Sequence, residues 1–340
     1  MPTHAGRWCP LLSPDVDYGS SVTNPPATEG AEAQRPPGTG ASRAAIEHHY
    51  DVGRDFYSLW LDSELVYSCA LWPDGGDTDE DLENAQRAKM AWHADSAHCE
   101  SGARVLDVGC GWGALARYLV GERTVGHVTG LTLSSDQADS AFGAEANDDD
   151  GTFDIRLEDW RDHKPDALYD AVVSIGAFEH FARNELPEQE RRAVYRDFFD
   201  ATADWTRPGA WMSLQSIAYE DVDPDQVQTM PFLTEEIFPE SGLPKLSDII
   251  ASAEPSWRVM ALRSDPDHYA HTLRLWQRRL EANSEAATDL VGRSTYRRYV
   301  RYLRLCRALF DERVCTLYRI SLQRRPRPGS DASRAAEGQL

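Results

Sequence analysis

The sequence predicts an α/β fold whose core is a doubly wound, mostly parallel sheet of seven strands. Apolar, strand-like runs alternate with helical stretches through the middle of the chain, which is the pattern of repeated βα units. In addition, the apolar run at residues 105–108 stops at three alternate glycines, and residues 114–120 then show helical spacing. This stretch is predicted to be a strand, a tight turn and a helix, with the helix N-terminus facing whatever the glycines hold.

The remaining elements follow from apolar periodicity and from breaker residues. Strands are expected at residues 104–108, 125–132, 153–157, 171–175, 210–217, 257–262 and 314–323. Helices are expected at residues 81–97, 186–205, 268–282 and 294–310, and the aromatic-rich stretch 50–72 is interpreted as further N-terminal helix. The last strand alternates apolar and polar residues, which is typical of an antiparallel addition to the sheet.

The chain is expected to form a single domain at residues 41–325. Residues 1–40 are rich in Pro, Gly and Ala and predict a disordered leader, and residues 326–340 predict a disordered tail. Ser42 is a suitable N-cap for a helix at residues 43–50. Helical cap elements are expected at about residues 41–98 and 218–310, and the polar, Pro-containing residues 221–242 suit a lid.

Composition excludes several classes of function. A net charge of −21 disfavours nucleic acid as the main partner, because Lys and Arg contacts to phosphate dominate such binding. No apolar run approaches the roughly 20 residues that span a bilayer. The six cysteines lack metal-ligand spacing and the N-terminus lacks a signal-peptide core, so we expect a cytoplasmic protein with reduced thiols and no metal.

Charge is unevenly distributed, because residues 293–327 contain eleven arginines and only two acidic residues. Two interpretations are open. The favoured one is that these arginines pair with acidic residues elsewhere in this acidic protein. The other is a dedicated patch for an anion or a membrane surface.

The glycine stretch has the spacing G-x-G-x-G, with Gly109, Gly111 and Gly113 at its glycine positions. It matches neither the G-x-G-x-x-G of dinucleotide-binding proteins nor the phosphate loop, and no lysine follows it. Asp107, two residues before the first glycine, is placed to orient the loop or to meet a cationic group of a ligand. The pattern is typical of class I methyltransferases, which bind S-adenosylmethionine (SAM). The alternative is a tight turn in some other α/β protein.

Several short strings in order carry a resemblance to a known family. They are 49–53 (HYDVG), 67–70 (YSCA), 85–89 (AQRAK), 105–113 (VLDVGCGWG), 130–134 (GLTLS), 174–181 (SIGAFEHF), 237–239 (IFP) and 268–270 (HYA). Over about residues 47–323 the chain resembles the cyclopropane fatty acid synthases, including the mycolic acid cyclopropane synthases. The resemblance implies a Rossmann-like class I methyltransferase domain that uses SAM.

The resemblance also implies which residues hold SAM. The glycine loop would approach the methionine part, with Tyr67 and Ser68 closing over it. Thr132 ends the second strand where many class I methyltransferases have an acidic ribose ligand, and Gln137 would assist at the ribose or adenine. Asp159 and Trp160 would form the adenine edge, with the indole stacking on the base. Ordinary core packing is the alternative for Trp160.

In family members a bicarbonate ion is thought to take a proton, and the resemblance places its ligands here. The matching positions are Cys69, Glu179, the backbone of Ile217, and Tyr269. The remaining family ligand is a histidine in the pattern Leu-His-x-Ile, where this chain has Gln215. Glutamine donates a hydrogen bond but does not become cationic, so we expect an altered site in which Glu179 either orients a weakly held bicarbonate or acts as the base.

The expected activity is SAM-dependent C-methylation of a carbon–carbon double bond in a hydrophobic isoprenoid, polyene or acyl substrate. A carbocation would give a methyl-branched or a cyclopropane product, and Phe178, Phe181 and Trp72 are candidates to line its path. Residues 217–234 look short and acidic for a cover that meets an anionic bilayer, so membrane contact is less favoured. The alternatives are a cyclopropane fatty acyl phospholipid synthase, an O- or N-methyltransferase, and a non-catalytic SAM- or lipid-binding protein. A homo-oligomer is compatible with the sequence.

Overall fold

A computed structural model of the chain describes residues 40–42, 52–73, 75–141, 151–220 and 240–326. The predicted leader and tail, the helix predicted at residues 43–50, the string at residues 237–239 and most of the predicted lid lie outside the described residues. Seven strands form one sheet, namely β1 Arg104–Val108, β2 His127–Thr132, β3 Thr152–Leu157, β4 Tyr169–Ile175, β5 Thr206–Tyr219, β6 Trp257–Ser264 and β7 Cys315–Arg324.

The strand order is β3-β2-β1-β4-β5-β7-β6. The strands from β3 to β5 are parallel, and β7 runs antiparallel to both of its neighbours. This is the doubly wound sheet that the sequence predicts, with the predicted antiparallel strand inserted near one edge. β1 and β4 are buried along almost their whole length, as expected for central strands of a parallel sheet that is covered on both faces.

Eight helices are formed by the described residues. They are α1 Arg54–Ser58, α2 Asp79–Ser96, α3 Ala114–Arg123, α4 Ser135–Ala141, α5 Glu188–Asp204, α6 Leu246–Ala253, α7 Pro266–Ala282 and α8 Ser284–Asp311, with a single 3-10 turn at Phe178–His180. A capping box between Thr78 and Asp81 starts α2, which explains why that helix begins where it does.

The structure differs from the sequence-based prediction in four places, one of which is the helix α4, which was not expected. Only Arg54–Ser58 is helical within residues 52–72. The backbone that follows is irregular, and it places the side chains of Trp60 and Tyr67 together in one buried aromatic cluster. The helix α6 was not expected. The helix α8 begins ten residues earlier than predicted, and Gly292, with φ 79°, breaks it into two parts.

Two features of the fold position the functional site. The carboxyl ends of β1, β2 and β4 face the glycine loop and α4, while α7 and α8 pack beside the ends of β5 and β7.

Arg304 and Arg313 of the basic stretch pair with acidic residues outside it, Glu281 and Asp267, as favoured above, whereas Arg307 pairs with Asp311 inside the stretch. Within the described part of the chain, no helix combines the length and apolar character needed to cross a membrane.

Candidate active site

The glycine loop has a backbone that other residues adopt poorly. Gly109 has φ 82°, and a Cβ added to it would lie 2.3 Å from the Cβ of Ala177. The N–H groups of Gly109 and Cys110 both donate to the carbonyl of Leu131, at 2.9 and 3.0 Å, which fixes the loop to the end of β2. Glycine is therefore required at position 109 both for its backbone conformation and for close packing.

A cleft with an empty volume of about 1100 Å³, part of it open to solvent, lies over this loop. We call it the cofactor cleft. Of the ten residues that the sequence assigns to SAM, nine line it: Tyr67, Ser68, Asp107, Gly109, Gly111, Thr132, Gln137, Asp159 and Trp160. The tenth, Gly113, does not line the cleft but forms the left-handed N-cap of α3.

Two buried charged side chains lie at the bottom of the cleft. Asp107 lines it from the end of β1, and burial raises the pKa of its carboxyl to about 7 although the ammonium of Lys89 opposes that rise. Lys89 reaches in from α2 and donates to Ser68 Oγ at 2.9 Å. Burial lowers the pKa of this amine to about 8. A carboxylate and an ammonium side by side suit the amino and carboxylate groups of a bound amino-acid moiety.

The raised pKa of Asp107 makes a prediction about stability without ligand. A carboxyl whose pKa is about 7 when folded and 3.8 when unfolded stabilises the fold at low pH, and that contribution is lost as pH rises through 7. The difference in unfolding free energy between Asp107→Asn and wild type should therefore grow by about 2 to 3 kcal/mol, in favour of the variant, as pH is raised from 5 to 8. Urea unfolding at the two pH values checks this, with the exposed Asp197→Asn as control. Equal changes in all three proteins would contradict it.

The end of β2 carries a polar pair in place of the acidic residue common at this point. Thr132 donates its hydroxyl proton to Gln137 Oε1 at 2.6 Å, and it accepts from the N–H of Ser134. Because the oxygen of Gln137 is held in this way, its amide nitrogen remains as the donor toward the cleft. This arrangement fits a ribose hydroxyl or an adenine nitrogen as acceptor.

Asp159 and Trp160 follow β3 at the wall of the cofactor cleft. The carboxylate of Asp159 is held by two guanidinium nitrogens of Arg161, at 3.0 and 2.9 Å. Trp160 lines the cleft and also packs against Phe181 and Phe198, with ring centroids 5.3 and 5.4 Å away. The indole is thus anchored in the core while contributing to the cleft wall.

A second pocket with an empty volume of about 1060 Å³, part of it open to solvent, adjoins the first, and we call it the apolar cavity. The two share four residues: Tyr67, Ser68, Gly176 and His180. Its other walls come largely from α7, α8 and the ends of β5 and β7, and include Leu243, Tyr302, Leu309, Phe310 and Leu317. The hydroxyl of Tyr67 donates to that of Tyr302 at 3.1 Å, which ties the junction of the cavities to α8.

Glu179 is the acidic group of the apolar cavity. It lies in the 3-10 turn after β4, and its Oε1 accepts the N–H of Ile217 at 2.6 Å. Its other oxygen, Oε2, is buried and has no hydrogen-bond partner among the described residues. Burial raises the pKa of this carboxyl to about 7 against the opposing hydrogen bond from Ile217. Such a group is suited to exchange a proton near neutral pH.

The other predicted catalytic residues divide into two groups. Gln215, Ile217 and Tyr269 line the apolar cavity together with Glu179. Cys69 does not line it, because its thiol is buried against the guanidinium of Arg319. Burial raises the pKa of this thiol to about 11, which keeps it neutral.

Of the three aromatic residues suggested for a carbocation path, the structure places one at a cavity wall. Phe181 lines the cofactor cleft. Phe178 is fully buried and stacks on Tyr195, and Trp72 donates its indole N–H to Thr272. The last two are core residues. The tyrosine and phenylalanine side chains that line the apolar cavity are instead those of Tyr67, Tyr219, Tyr269, Tyr302 and Phe310.

The comparisons with known proteins agree with this geometry. The family model for mycolic acid cyclopropane synthetase matches residues 39–320. The chain belongs to this family. It is 33% identical over 293 residues to cyclopropane mycolic acid synthase 2 of Mycobacterium bovis, covering 82% of this chain and 93% of that protein. It is also 35% identical over 283 residues to a probable fatty acid methyltransferase of Pseudomonas putida, covering 81% and 68%.

Solved structures of the family superpose on most of the chain. The mycolic acid cyclopropane synthase CmaA1, complexed with S-adenosylhomocysteine (SAH) and CTAB, matches with a TM-score of 0.74 and 31% identity over 84% of this chain and 99% of that one. The cyclopropane synthase MmaA2 from Mycobacterium tuberculosis gives the same TM-score at 28% identity. The resemblance drawn from the sequence strings is confirmed, and the protein is a SAM-dependent methyltransferase of the cyclopropane synthase type.

Three residues of the site were not identified from sequence, although a signal existed for each. Lys89 and His93 are polar residues on the buried face of α2, at a spacing of four, where an apolar residue is expected. Arg319 sits among apolar residues of β7 and is wholly buried, but it was counted with the surface arginines of the basic stretch. A charged residue at a core position is a functional signal in itself.

Proposed function

We propose that this methyltransferase transfers the methyl group of SAM to a carbon–carbon double bond of a hydrophobic substrate. The carbocation that results loses a proton and gives a methyl-branched or a cyclopropane product. One observation carries the proposal: the apolar cavity shares Tyr67 and Gly176 with the cofactor cleft, and it contains a buried carboxylate oxygen that has no hydrogen-bond partner among the described residues. An apolar substrate and a proton acceptor are what this chemistry needs.

SAM supplies an electrophilic methyl group on a sulfonium, which an isolated alkene requires because it is a weak nucleophile. In the cofactor cleft, Asp107 and Lys89 would hold the charged amino-acid end, and the amide of Gln137 would hold the nucleoside end. Tyr67 and Ser68, which line both cavities, orient the two reactants and exclude water from their meeting point.

Glu179 is proposed as the base that removes the proton. Its Oε1 is fixed by Ile217, so Oε2 is held in one place to accept the proton. Loss of a proton from the added methyl closes a cyclopropane ring, and loss from a neighbouring carbon leaves a methyl-branched alkene. Which proton is lost depends on how the cavity, shaped by Leu309 and Phe310, places the substrate carbons relative to Glu179.

Bicarbonate fits this site only in part. Glu179, Gln215 and Tyr269 line the cavity, but the N–H of Ile217 already donates to Glu179 and Cys69 lies behind the wall. The residues therefore support Glu179 itself as the proton acceptor, and the proposed mechanism contains no step through bicarbonate.

The acceptor atom is tested by incubation with methyl-deuterated SAM and candidate isoprenoid, polyene and acyl olefins, followed by mass spectrometry. A product that retains three deuteriums is expected for methylation, and one that retains two for ring closure. Transfer only to oxygen or nitrogen would contradict the proposal and favour an O- or N-methyltransferase. A phospholipid substrate as the single reactive class would instead favour a cyclopropane fatty acyl phospholipid synthase.

A further inference from the structure

Three alternate residues of β5 give the apolar cavity two distinct ends. Gln215, Ile217 and Tyr219 have side chains on one face of the strand, and all three line the cavity. Gln215 marks the cofactor end, because its backbone carbonyl accepts the N–H of Gly176, which the cavity shares with the cofactor cleft, at 3.0 Å. Ile217 marks the position of the base, because its N–H donates to Glu179. Tyr219 follows two residues later and marks what we call the far end.

The length of the strand sets the distance between these ends. A strand rises about 3.3 Å per residue, so Tyr219 lies about 7 Å beyond Ile217 and about 13 Å beyond Gln215. Cys315 and Leu317 of β7, which are paired with Tyr219 and Ile217, line the cavity beside them. A substrate whose double bond lies at the base can therefore reach the far end with a group several carbon atoms from that bond.

The hydroxyl of Tyr219 is a donor at the far end. Burial raises its pKa, so the phenol keeps its proton, and a hydrogen bond with the side chain of Asn184 opposes that rise. A hydrogen bond that lowers the pKa of an acid is donated to it, so the amide N–H of Asn184 donates and the phenol oxygen accepts.

The amide oxygen of Asn184 faces the other way, toward Gly242, where an added Cβ would lie 2.8 Å from it. The proton of Tyr219 is therefore not used on Asn184, and no acceptor for it is found among the described residues. Tyr219 is almost completely buried, and a buried donor without an acceptor is unfavourable. A ligand oxygen in the cavity would satisfy it.

The other polar groups near the far end are uncharged. Ser241, next to Gly242, has its Oγ 2.7 Å from Nδ1 of His180, and both residues line the cavity. Burial lowers the pKa of His180 to about 4, so its imidazole is neutral at physiological pH. No lysine, arginine or aspartate is among the described residues that line the cavity. A carboxylate or phosphate at the far end would thus be buried without a cation, which is unfavourable.

We propose that Tyr219 and Asn184 form a subsite for an uncharged oxygen of the substrate, a hydroxyl or a carbonyl oxygen, at the far end of the apolar cavity. Tyr219 donates a hydrogen bond to that oxygen. Asn184 is a positioning residue, because it holds the phenol oxygen from the other side. The substrate class is an olefinic alcohol or ester whose oxygen lies about 7 to 13 Å from the double bond. The inference rests on the proposed function in that it takes the apolar cavity as the substrate site.

The first test measures ligand affinity by calorimetry with the full chain loaded with SAH. The probes are the alcohol, methyl ester, carboxylate and hydrocarbon forms of two olefinic chains, citronellyl and palmitoleyl. For the chain that binds more tightly, Tyr219→Phe should weaken binding of the alcohol and the ester about 10-fold or more, because their oxygen loses its donor. The hydrocarbon should bind both proteins equally, and the carboxylate should bind wild type more weakly than the ester does.

Three results of this titration would overturn the proposal. They are no binding of any alcohol or ester to wild type, the same loss for the hydrocarbon as for the alcohol in Tyr219→Phe, and tightest binding of the carboxylate.

The second test observes the hydrogen bond itself, by infrared difference spectra of the methyl ester labelled with ¹³C at its carbonyl. In wild type the carbonyl stretch of the bound ester should lie at a lower frequency than in hexane and than in Tyr219→Phe. Asn184→Asp should give the same spectrum as Tyr219→Phe, because a carboxylate only accepts and takes the proton of Tyr219 for itself. A wild-type frequency equal to that in hexane would overturn the proposal, and a wild-type frequency in Asn184→Asp would remove Asn184 from it.

The matched control is Tyr195→Phe. It removes another buried tyrosine hydroxyl, which donates to the carbonyl of Gly242 at 3.4 Å but does not line the cavity, so binding of all probes should stay as in wild type. SAH affinity and thermal unfolding show whether each variant keeps its fold. If Tyr219→Phe does not fold, the wild-type spectrum and Asn184→Asp still decide.

The two proposals fail in different ways. Oxygen-dependent binding without methyl transfer to any olefin would count against the proposed function and not against the subsite. Methyl transfer to an olefinic alcohol that is as fast in a folded Tyr219→Phe protein as in wild type, with unchanged KM, would count against the subsite alone.

Discussion

Replacing Glu179 by Gln is expected to lower the rate of methyl transfer by about 10²- to 10⁴-fold, the usual contribution of a positioned general base. The amide keeps the size of the side chain and its acceptor for the N–H of Ile217, but it removes the oxygen that accepts the proton. The measurement is kcat with saturating SAM and a saturating olefinic substrate. SAH affinity should stay within a few-fold of wild type because Glu179 does not line the cofactor cleft.

The pH dependence follows from the same carboxyl. Burial raises its pKa to about 7, and only the ionised form accepts a proton, so kcat of the wild type should rise about 10-fold per pH unit below 7 and level off above it. The Gln variant should lose this ionisation from its profile. In bicarbonate-depleted buffer the wild type should keep most of its activity, since the proton acceptor is a side chain.

The matched control for this prediction is Glu185→Gln. Glu185 lies six residues further along the chain and is exposed to solvent. It should behave as wild type in rate, pH profile and unfolding. Full activity of Glu179→Gln would remove the base role from this residue, and a loss of activity equal to that in the control would show that the effect is not specific.

The fold was predictable from sequence because its signals are local. Alternating apolar runs and the glycines of the loop report on strands and turns within a few residues, and all seven predicted strands are present within a few residues of the expected limits. The cofactor cleft follows from the fold, since the ends of parallel strands meet at one edge. The local signals gave a wrong prediction for residues 59–72, which were expected to be helical. There the burial of aromatic rings overrides the tendency to form a helix.

The apolar cavity was less predictable because long-range contacts make it. Arg319 contacts Gln215 only when β7 pairs with β5 in one register, because the two residues are 104 positions apart in the sequence. Similarly, Glu179 shares its cavity with Leu309 and Phe310 only because α8 folds back over the sheet. Periodicity indicates that such elements are amphipathic, but it does not indicate which polar residues on their buried faces meet.

The cofactor cleft and the apolar cavity separate what is shared with relatives from what is particular to this chain. Nine of the ten residues that the sequence assigns to SAM line the cofactor cleft, so we expect the methyl donor to be held as in relatives. The departures, Gln215 and the buried Arg319, lie around the apolar cavity, where the acceptor and its proton are handled. Differences in product between this protein and its relatives are therefore expected to arise at that cavity.

Replacing Gly109 by Ala is expected to abolish cofactor binding. The new Cβ would lie 2.3 Å from the Cβ of Ala177, and φ of 82° is unfavourable for any residue with a side chain. Strain and overpacking together should cost about 2 to 4 kcal/mol of unfolding free energy unless the loop moves. A moved loop breaks the hydrogen bonds from Gly109 and Cys110 to Leu131. SAH affinity should then fall at least 100-fold.

Gly121→Ala separates loop geometry from the general effect of an added methyl group. Gly121 lies in α3 with ordinary helical φ and nothing within 4 Å of the added Cβ. That variant should gain about 0.5 to 1 kcal/mol, since alanine favours a helix over glycine. Calorimetric SAH titration and urea unfolding of both variants decide the matter. If Gly109→Ala binds SAH as wild type does, the close approach of β1 and the turn after β4 is not what shapes the cleft, and the cofactor must be held mainly by Asp107, Lys89 and Gln137.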